Sequence, residues 1–350
     1  MPKPSVLVVG SSNTDMIVKV DRLPQPGETL LGGEFASASG GKGANQAVAA
    51  ARAGGAVALI ARIGKDVFGQ MALDALKSNR IDTEYVVRDR ANPSGVALIF
   101  VAKNGQNSIA VAPGANSRLS AADVRKAKNA FRNASVLLLQ LETPLKTVRA
   151  AAALATEIGT RVILNPAPAQ PLPSNLLKRL FLLTPNETEV QLLTGITVDR
   201  EESADRAASK LLAQGIRNVI ITLGARGAFV AGKSIRQFIP AYKVKAVDAT
   251  GAGDIFNGAL AVAISEGKTL LDAAAFANAA AALSVTRLGA QTSAPSRHEI
   301  EQLLATGKVL RSATRAARGH NCNGSNGWAR LAISAVKKNR KILAGLKPTP

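Results

Sequence analysis

Short, fully apolar runs rich in β-branched residues alternate with stretches of helical periodicity along most of this chain. Residues 6–10, 57–60, 96–101, 136–140, 162–164, 181–183 and 219–223 predict strands, and 46–53, 145–158 and 203–214 predict helices between several of them. A strand that is apolar at every position is buried on both faces, and the intervening helices supply the cover. The pattern therefore predicts an α/β fold built on a parallel sheet. Two stretches depart from it. Residues 15–35 and 94–112 alternate apolar and polar positions around Pro-Gly and Asn-Gly turns, as half-exposed hairpin strands do. They predict a small β-sheet lid outside the main sheet. Helical signals persist from Asp254 through Ala282, and ordinary globular composition continues to about Leu304.

Composition changes beyond that point. Of the formal charge of +20, the residues from Ala305 onward carry ten Lys or Arg and no Asp or Glu, which leaves +10 for the rest. That remainder suits an enzyme with anionic ligands and does not demand nucleic acid. The chain thus divides into a body, 1–304, and a basic appended tail, 305–350, read as a disordered, solvated extension. A nucleic-acid role for the tail would rest on charge alone. No run approaches the roughly 18 apolar residues of a membrane span. Residues 1–5 lead straight into the first strand without the basic and apolar regions of a secretory signal, so a cytoplasmic protein is expected. Cys322 is the one cysteine, and His298 and His320 are the two histidines. An internal disulfide and a cysteine-based zinc site are excluded, and acid–base work falls to carboxylates.

The chemistry concentrates in a few segments. Asp248-Ala249-Thr250-Gly251-Ala252-Gly253-Asp254 follows a strand-like stretch, 242–247, and opens a helix whose apolar stripe includes Ile255, Ala259, Val262 and Ala263. Small residues at 251–253 admit a ligand close to the backbone, and their N–H groups lie at a helix N-terminus, which favours an anion. Asp254 in the first turn can accept a proton from an attacking hydroxyl, or it can simply cap its helix. Gly40-Gly41-Lys42-Gly43-Ala44-Asn45 wraps backbone about something polar, or forms a solvated turn in which Asn45 caps the helix from Gln46. Ser11-Ser12-Asn13-Thr14-Asp15 follows the first strand, and Glu142 follows another; side chains at such strand ends can grip hydroxyl groups or serve as loop caps. Thr184-Pro185-Asn186-Glu187-Thr188-Glu189 reads as a capping box or as a phosphate and magnesium contact. Thr222-Leu223-Gly224-Ala225-Arg226-Gly227 reads as a turn or as room for a nucleotide. Two better-known phosphate motifs are absent. A P-loop ending at Gly41-Lys42 would need Gly and Ser or Thr where Ala36 and Gly43 stand, and a dinucleotide fingerprint at 251–256 would need glycine where Phe256 stands.

Taken in this order, the segments resemble the ribokinase-like (PfkB) carbohydrate kinases from about residue 5 to about residue 304. The resemblance includes the runs at 40–45 and 248–254, and also the stretches 95–101, 164–169 and 184–189, of which 95–101 and 164–169 carry no assigned chemistry. It implies a three-layer α/β/α, doubly wound, mostly parallel sheet with a small β-sheet lid that forms the contact of a homodimer. It implies ATP-dependent phosphorylation of a small sugar, ribose first, with Asp254 as the base and Gly251, Ala252 and Gly253 as the anion hole for the γ-phosphoryl group. Asn13, Asp15, Gly41, Lys42, Gly43, Asn45, Glu142 and Asp254 match sugar-binding positions. Asn186, Thr222, Gly224, Ala225, Arg226, Gly227 and Asn278 match ATP-binding positions, and Glu189 supports magnesium through water. Asp248, Thr250, Ser284, Arg287, Gly289 and Ser293 match the site of a monovalent cation, usually potassium, several through backbone carbonyls.

The nearest alternative is a related kinase for deoxyribose, another small sugar or a nucleoside, although Asn13, Asp15 and Glu142 favour a small polyhydroxylated acceptor. A sugar sensor without catalysis would need neither Asp254 nor the anion-hole glycines. A nucleic-acid-binding protein loses support once the tail charge is set aside.

Overall fold

The structure, a computed structural model, describes residues 5–307. Its strands are β1 (Ser5–Val9), β2 (Asn13–Val20), β3 (Glu34–Gly40), β4 (Ala56–Gly64), β5 (Val86–Asp89), β6 (Gly95–Ala102) and β7 (Asn107–Ala112). They continue with β8 (Val136–Leu139), β9 (Arg161–Leu164), β10 (Leu182–Leu183), β11 (Val219–Thr222), β12 (Gly227–Ala231) and β13 (Arg236–Pro240). The helices are α1 (Lys42–Arg52), α2 (Val67–Ser78), α3 (Ala121–Lys126), α4 (Lys128–Asn133), α5 (Leu145–Ile158) and α6 (Ser174–Leu177). After them come α7 (Glu187–Thr194), α8 (Glu201–Leu212), α9 (Ala252–Ser265), α10 (Leu270–Ser284) and α11 (Arg297–Thr306).

Nine strands form one sheet in the order β13-β12-β11-β10-β9-β8-β1-β4-β5. From β11 to β5 every pairing is parallel; β12 and β13 add an antiparallel edge. Strand pleating divides even a fully apolar run between two faces. In β1, Val6 and Val8 join the core beneath α1, α9, α10 and α11, while Leu7 and Val9 join the core beneath α3, α4, α5, α7 and α8. The doubly wound, three-layer arrangement expected from the sequence is therefore present. Ligand positions in such a sheet lie beyond the carboxyl ends of the strands, and Ser11, Gln140, Asn165, Thr184 and Thr222 stand there.

A second sheet of four strands, in the order β3-β2-β6-β7, supplies the expected lid. Its details differ from the sequence reading. The partner of β2 is β3 at 34–40, not a strand within 15–35, whereas 94–112 supplies β6 and β7 outside the main sheet as expected. The helix expected from Gln46 begins at Lys42, because Gly41 at φ 86° turns the chain directly from β3 into α1. No strand forms over 242–247. There the Val247 and Asp248 N–H groups donate to the Val285 carbonyl at the end of α10, so the segment is tied to a helix end and not to a sheet. Strands β5, β12 and β13 fall outside the runs that predict strands. The tail reading for 305–350 falls outside the described residues beyond Gly307, which ends α11 at φ 65°. Among the described residues no helix is long and apolar enough to cross a membrane.

Helices α1 and α9 cross at Gly258. A Cβ at that position would lie 2.5 Å from the Ala49 Cβ, 2.5 Å from the Gln46 carbonyl oxygen and 2.8 Å from the Ala50 nitrogen. Backbone occupies most of that space, so a side chain must separate the helices. Helix propensity alone favours alanine over glycine by about 1 kcal/mol; the steric conflict acts in the other direction and is larger. Gly258→Ala is expected to lower the unfolding free energy by about 1–3 kcal/mol, read from urea midpoints.

Candidate active site

Helix α9 opens at Gly251, whose φ of 73° lies in the left-handed region, and a Cβ there would meet that of Ala290 at 2.7 Å. The turn brings Asp254 into the first turn with its side chain 6% exposed. It does not cap: no side-chain cap bond forms at this helix start. Its Oδ2 instead accepts from Asn45 Nδ2 at 3.0 Å and its Oδ1 from Gln46 Nε2 at 3.0 Å. Of the amides expected to be bare, Ala252 N–H donates to the Ala249 carbonyl at 3.2 Å. Among the described residues no acceptor takes the Gly253 or Asp254 N–H. A Cβ on Gly253 would meet nothing within 4 Å, so this end of α9 faces open space. Asp254, Gly251–Gly253, Lys42, Thr184, Asn186 and Glu189 line a cavity of about 190 Å³ there.

The 40–45 run does wrap backbone closely. A Cβ on Gly41 would lie 2.7 Å from Asn13 N, and one on Gly43 2.5 Å from Ser11 N. Asn45 is inside α1, not its cap. Lys42 N–H donates to Glu142 Oε2 at 3.0 Å, and Ser11 Oγ donates to the same atom at 2.5 Å. The Lys42 ammonium sees three carboxylates. Asp254 raises its pKa, burial opposes, and Glu142 and Glu189 add to the rise, so it stays charged.

Asn13 and Asp15, at the start of β2, complete this half. Asn13 Oδ1 accepts from Asn116 Nδ2 at 2.8 Å. The Asp15 carboxylate packs onto Gly40, where a Cβ would come within 2.3 Å of both its oxygens. Asn13, Asp15, Gly41, Lys42, Gly43, Asn45, Glu142 and Asp254 thus converge through direct bonds, close packing or charge coupling.

The other half is less uniformly assembled. Asn186 and Glu189 do form a capping box: Asn186 N–H donates to Glu189 Oε2 at 2.9 Å, and Glu189 N–H to Asn186 Oδ1 at 2.8 Å. Both also line the cavity, so the capping and ligand readings are compatible. Burial raises the Glu189 pKa, with the Asn186 amide and Lys42 opposing and Asp254 adding to the rise. Thr222 lines the same cavity. Gly224, Ala225 and Arg226 form an exposed turn beyond the end of β11, and Gly227 is buried at the start of β12. Arg226 is held by the Glu187 carboxylate and by the carbonyls of Asp199 and Val198. Asn278 is buried and donates to the Ile239 carbonyl at 3.3 Å.

Asp248 ties two of the remaining positions, Thr250 and Gly289, together. Its Oδ1 accepts from Thr250 N–H at 2.9 Å and its Oδ2 from Gly289 N–H at 2.8 Å. Burial pushes its pKa up, and these bonds outweigh it and hold the carboxylate below its usual range. Ser284 and Ser293 are buried and donate to the Ala281 and Ala290 carbonyls, which leaves hydroxyl lone pairs facing elsewhere. The Arg287 guanidinium, a donor only, pairs with Glu299 at 2.5 Å. The donors are all hard oxygens.

Sequence reasoning missed a set of buried amides. Gln46 Nε2 donates to Asn165 Oδ1 at 3.1 Å as well as to Asp254, Gln140 Nε2 donates to Gln46 Oε1 at 2.5 Å, and Asn165 Nδ2 donates to the Thr184 carbonyl at 3.1 Å. Asn257 donates to the Gly253 carbonyl and accepts from Thr184 Oγ1, while Gln291 Nε2 holds Asn45 Oδ1 at 3.1 Å. Asn165 and Asn257 line the cavity, although 164–169 was read as carrying no chemistry. The available signal was position: Gln140, Asn165 and Thr184 are each the first polar residue after an apolar parallel strand.

The pfkB family carbohydrate kinase model matches residues 3–297. The chain is 46% identical over 300 residues to a ribokinase of Haemophilus influenzae, covering 86% of this chain and 98% of that protein. It is 38% identical to a deoxyribokinase of Salmonella typhi, with 85% and 98% covered. The structure of Arabidopsis thaliana ribokinase complexed with ribose and ATP superposes with a TM-score of 0.79 at 36% identity, covering 86% of this chain and 99% of that one.

The Asp15 carboxyl is raised from 3.8 to about 6, first by burial and then by the nearby charges of Glu142 and Asp254. The unfolded chain releases this proton near pH 4, while the native state holds it to about pH 6. Between those values the unfolded state binds fewer protons, so stability falls as pH rises. Asp15→Asn removes the charge and is expected to stabilise the protein above pH 6 by on the order of 2 kcal/mol. The variant and wild-type urea curves should converge below about pH 4.

Proposed function

This chain belongs to the pfkB family of carbohydrate kinases, and we propose that it transfers the γ-phosphoryl group of ATP to the 5-hydroxyl of D-ribose, giving ribose 5-phosphate and ADP. The observation that carries the reading is Asp254, a buried carboxylate on the cavity wall beside the unclaimed N–H groups of Gly253 and Asp254 itself. Phosphoryl transfer needs alignment and charge stabilisation more than covalent chemistry. The ribose oxygen forms its bond to the γ-phosphorus as the bond to the bridging oxygen breaks and its electrons pass to ADP. Asp254 takes the proton that the hydroxyl loses. The helix-end amides and the Lys42 ammonium face the charge on the transferring oxygens.

Asn13, Asp15, Glu142 and the Gly41–Asn45 run offer paired, charge-assisted bonds to sugar hydroxyls, and Asn186, Thr222, the 224–227 turn and Asn278 border the nucleotide. Magnesium fits beside Glu189 through water, where it would offset phosphate charge. Potassium fits among Asp248, Thr250, Ser284, Arg287, Gly289 and Ser293, an all-oxygen set suited to a hard cation. The reading extends to a cytoplasmic homodimer joined through the small sheet. Strand register sets Ile17, Ile99, Ile109 and Val111 on the same face as Asp15. Ile109 and Val111 are more than half exposed, an apolar surface that a second copy would cover.

Deoxyribose is the competing acceptor, favoured by the likeness to a deoxyribokinase. In a coupled ADP assay over a panel of sugars, ribose should give the highest kcat/KM, and replacing potassium by a larger organic cation should lower the rate. Preference for deoxyribose or a nucleoside would transfer the assignment within the family. Asp254→Asn should lower kcat by at least about a hundredfold while equilibrium titration still shows ATP binding; near-normal turnover would remove Asp254 from the base role.

A further inference from the structure

The amide of Gln46 has no place in binding sugar or nucleotide, yet it is fully buried and touches the reacting carboxylate. We propose that Gln46 is a positioning residue for Asp254, fixing its Oδ1 and favouring its ionised, proton-accepting state. The inference rests on the reading of Asp254 as the base.

Three bonds set the Gln46 amide. Its Oε1 accepts from Gln140 Nε2, which leaves Nε2 as the donor that reaches both Asp254 Oδ1 and Asn165 Oδ1. Asn165 is anchored in turn by donating to the Thr184 carbonyl. The relay therefore runs from the end of β8 through α1 to the ends of β9 and β10, and it registers the start of α9 against the sheet. A neutral donor is suited to this task. It fixes one carboxylate oxygen without supplying a proton, and it stabilises the charged form that must take one. Asn45 does the same for Oδ2, but Asn45 also stands among the sugar-binding positions, whereas Gln46 lies behind the carboxylate. The titratable groups facing Asp254 are Asp15 from β2, Lys42 from α1 and Glu189 from α7, with Glu142 facing Lys42 and Asp15. Gln46→Met adds no charge to this set, so a difference in its pH behaviour reports the lost donor.

The test compares wild type with Gln46→Met, which keeps length and bulk but donates nothing, and with Gln46→Glu, which keeps shape and places a second carboxylate against Asp254. Full-length enzyme is assayed for kcat/KM with ribose across pH at saturating magnesium-ATP, with a thermal unfolding scan of each variant. Gln46→Met should lower kcat by about tenfold or more, change the KM for ribose by less than about threefold, and move the acidic limb of the profile up by about one pH unit. Gln46→Glu should move the limb farther, since like charges disfavour joint ionisation. A folded variant of either kind whose acidic limb stays at the wild-type position overturns the proposal, whatever its melting temperature, because a packing role lowers stability without moving the limb. Should Gln46→Met fail to fold, the same criterion applied to the isosteric Gln46→Glu decides. Wild-type enzyme without activity on ribose would instead remove the functional reading beneath it.

Discussion

The site depends on how closely α1 approaches α9. Gly258 lies four residues after Asp254, on the same face of α9. With no side chain there, the backbone of α1 at Gln46 and Ala50 rests against α9. Only at that separation do the short side chains of Asn45 and Gln46 both reach the carboxylate one turn earlier. The same crossing orients the first turn of α9, and so sets where the Gly253 and Asp254 amides point. A glycine outside any recognised motif thus fixes the geometry of two motifs that are more than 200 residues apart.

Charge within the site is concentrated and incompletely balanced. Glu142, Glu189 and Asp254 share one ammonium, that of Lys42, and Asp15 couples to Glu142 and Asp254 without a cation of its own. Burial and mutual repulsion raise Asp15 and Glu189, while Lys42 is driven more firmly into its charged form. Buried carboxylates in such excess favour ligands that bring hydroxyl donors or positive charge. The surrounding network is made of neutral amides, which satisfy buried oxygens without adding to the imbalance.

The sequence made the sheet and the chemistry legible to different extents. Fully apolar runs such as 136–139 and 162–164, too short for helices, point to central parallel strands, and they lie in β8 and β9. Leu145–Ile158 matches α5 residue for residue, because Pro144 and Gly159 bound it. The edge was harder. Strands β12 and β13 follow β11 through a tight turn, and β13 has only Phe238 and Ile239 between exposed residues, so no long apolar run marks it. The segment 242–247 has strand-like composition, but its final amide is claimed by the end of α10. Asp254, Lys42 and Asn45 stood out because glycines surround them. Gln46, Asn165 and Gln140 did not, since a lone amide after a strand or within an alanine-rich helix carries no local pattern, and the side chains that Gln46 joins are more than 90 residues away from it.

Asn13 and Asp15 belong to β2 of the small sheet, while Asp254 and its amides belong to a helix packed on the large one. On the proposed reading, part of the sugar-facing set is therefore carried by a different sheet from the carboxylate that takes the proton, the two joined through the short bends at Gly10–Ser12 and Gly41. Substitutions in the four-stranded sheet can retune which acceptor is admitted while leaving the phosphoryl machinery intact. Such a division gives evolution a simple route to new substrates, in keeping with ribokinases and a deoxyribokinase that share this chain's ancestry.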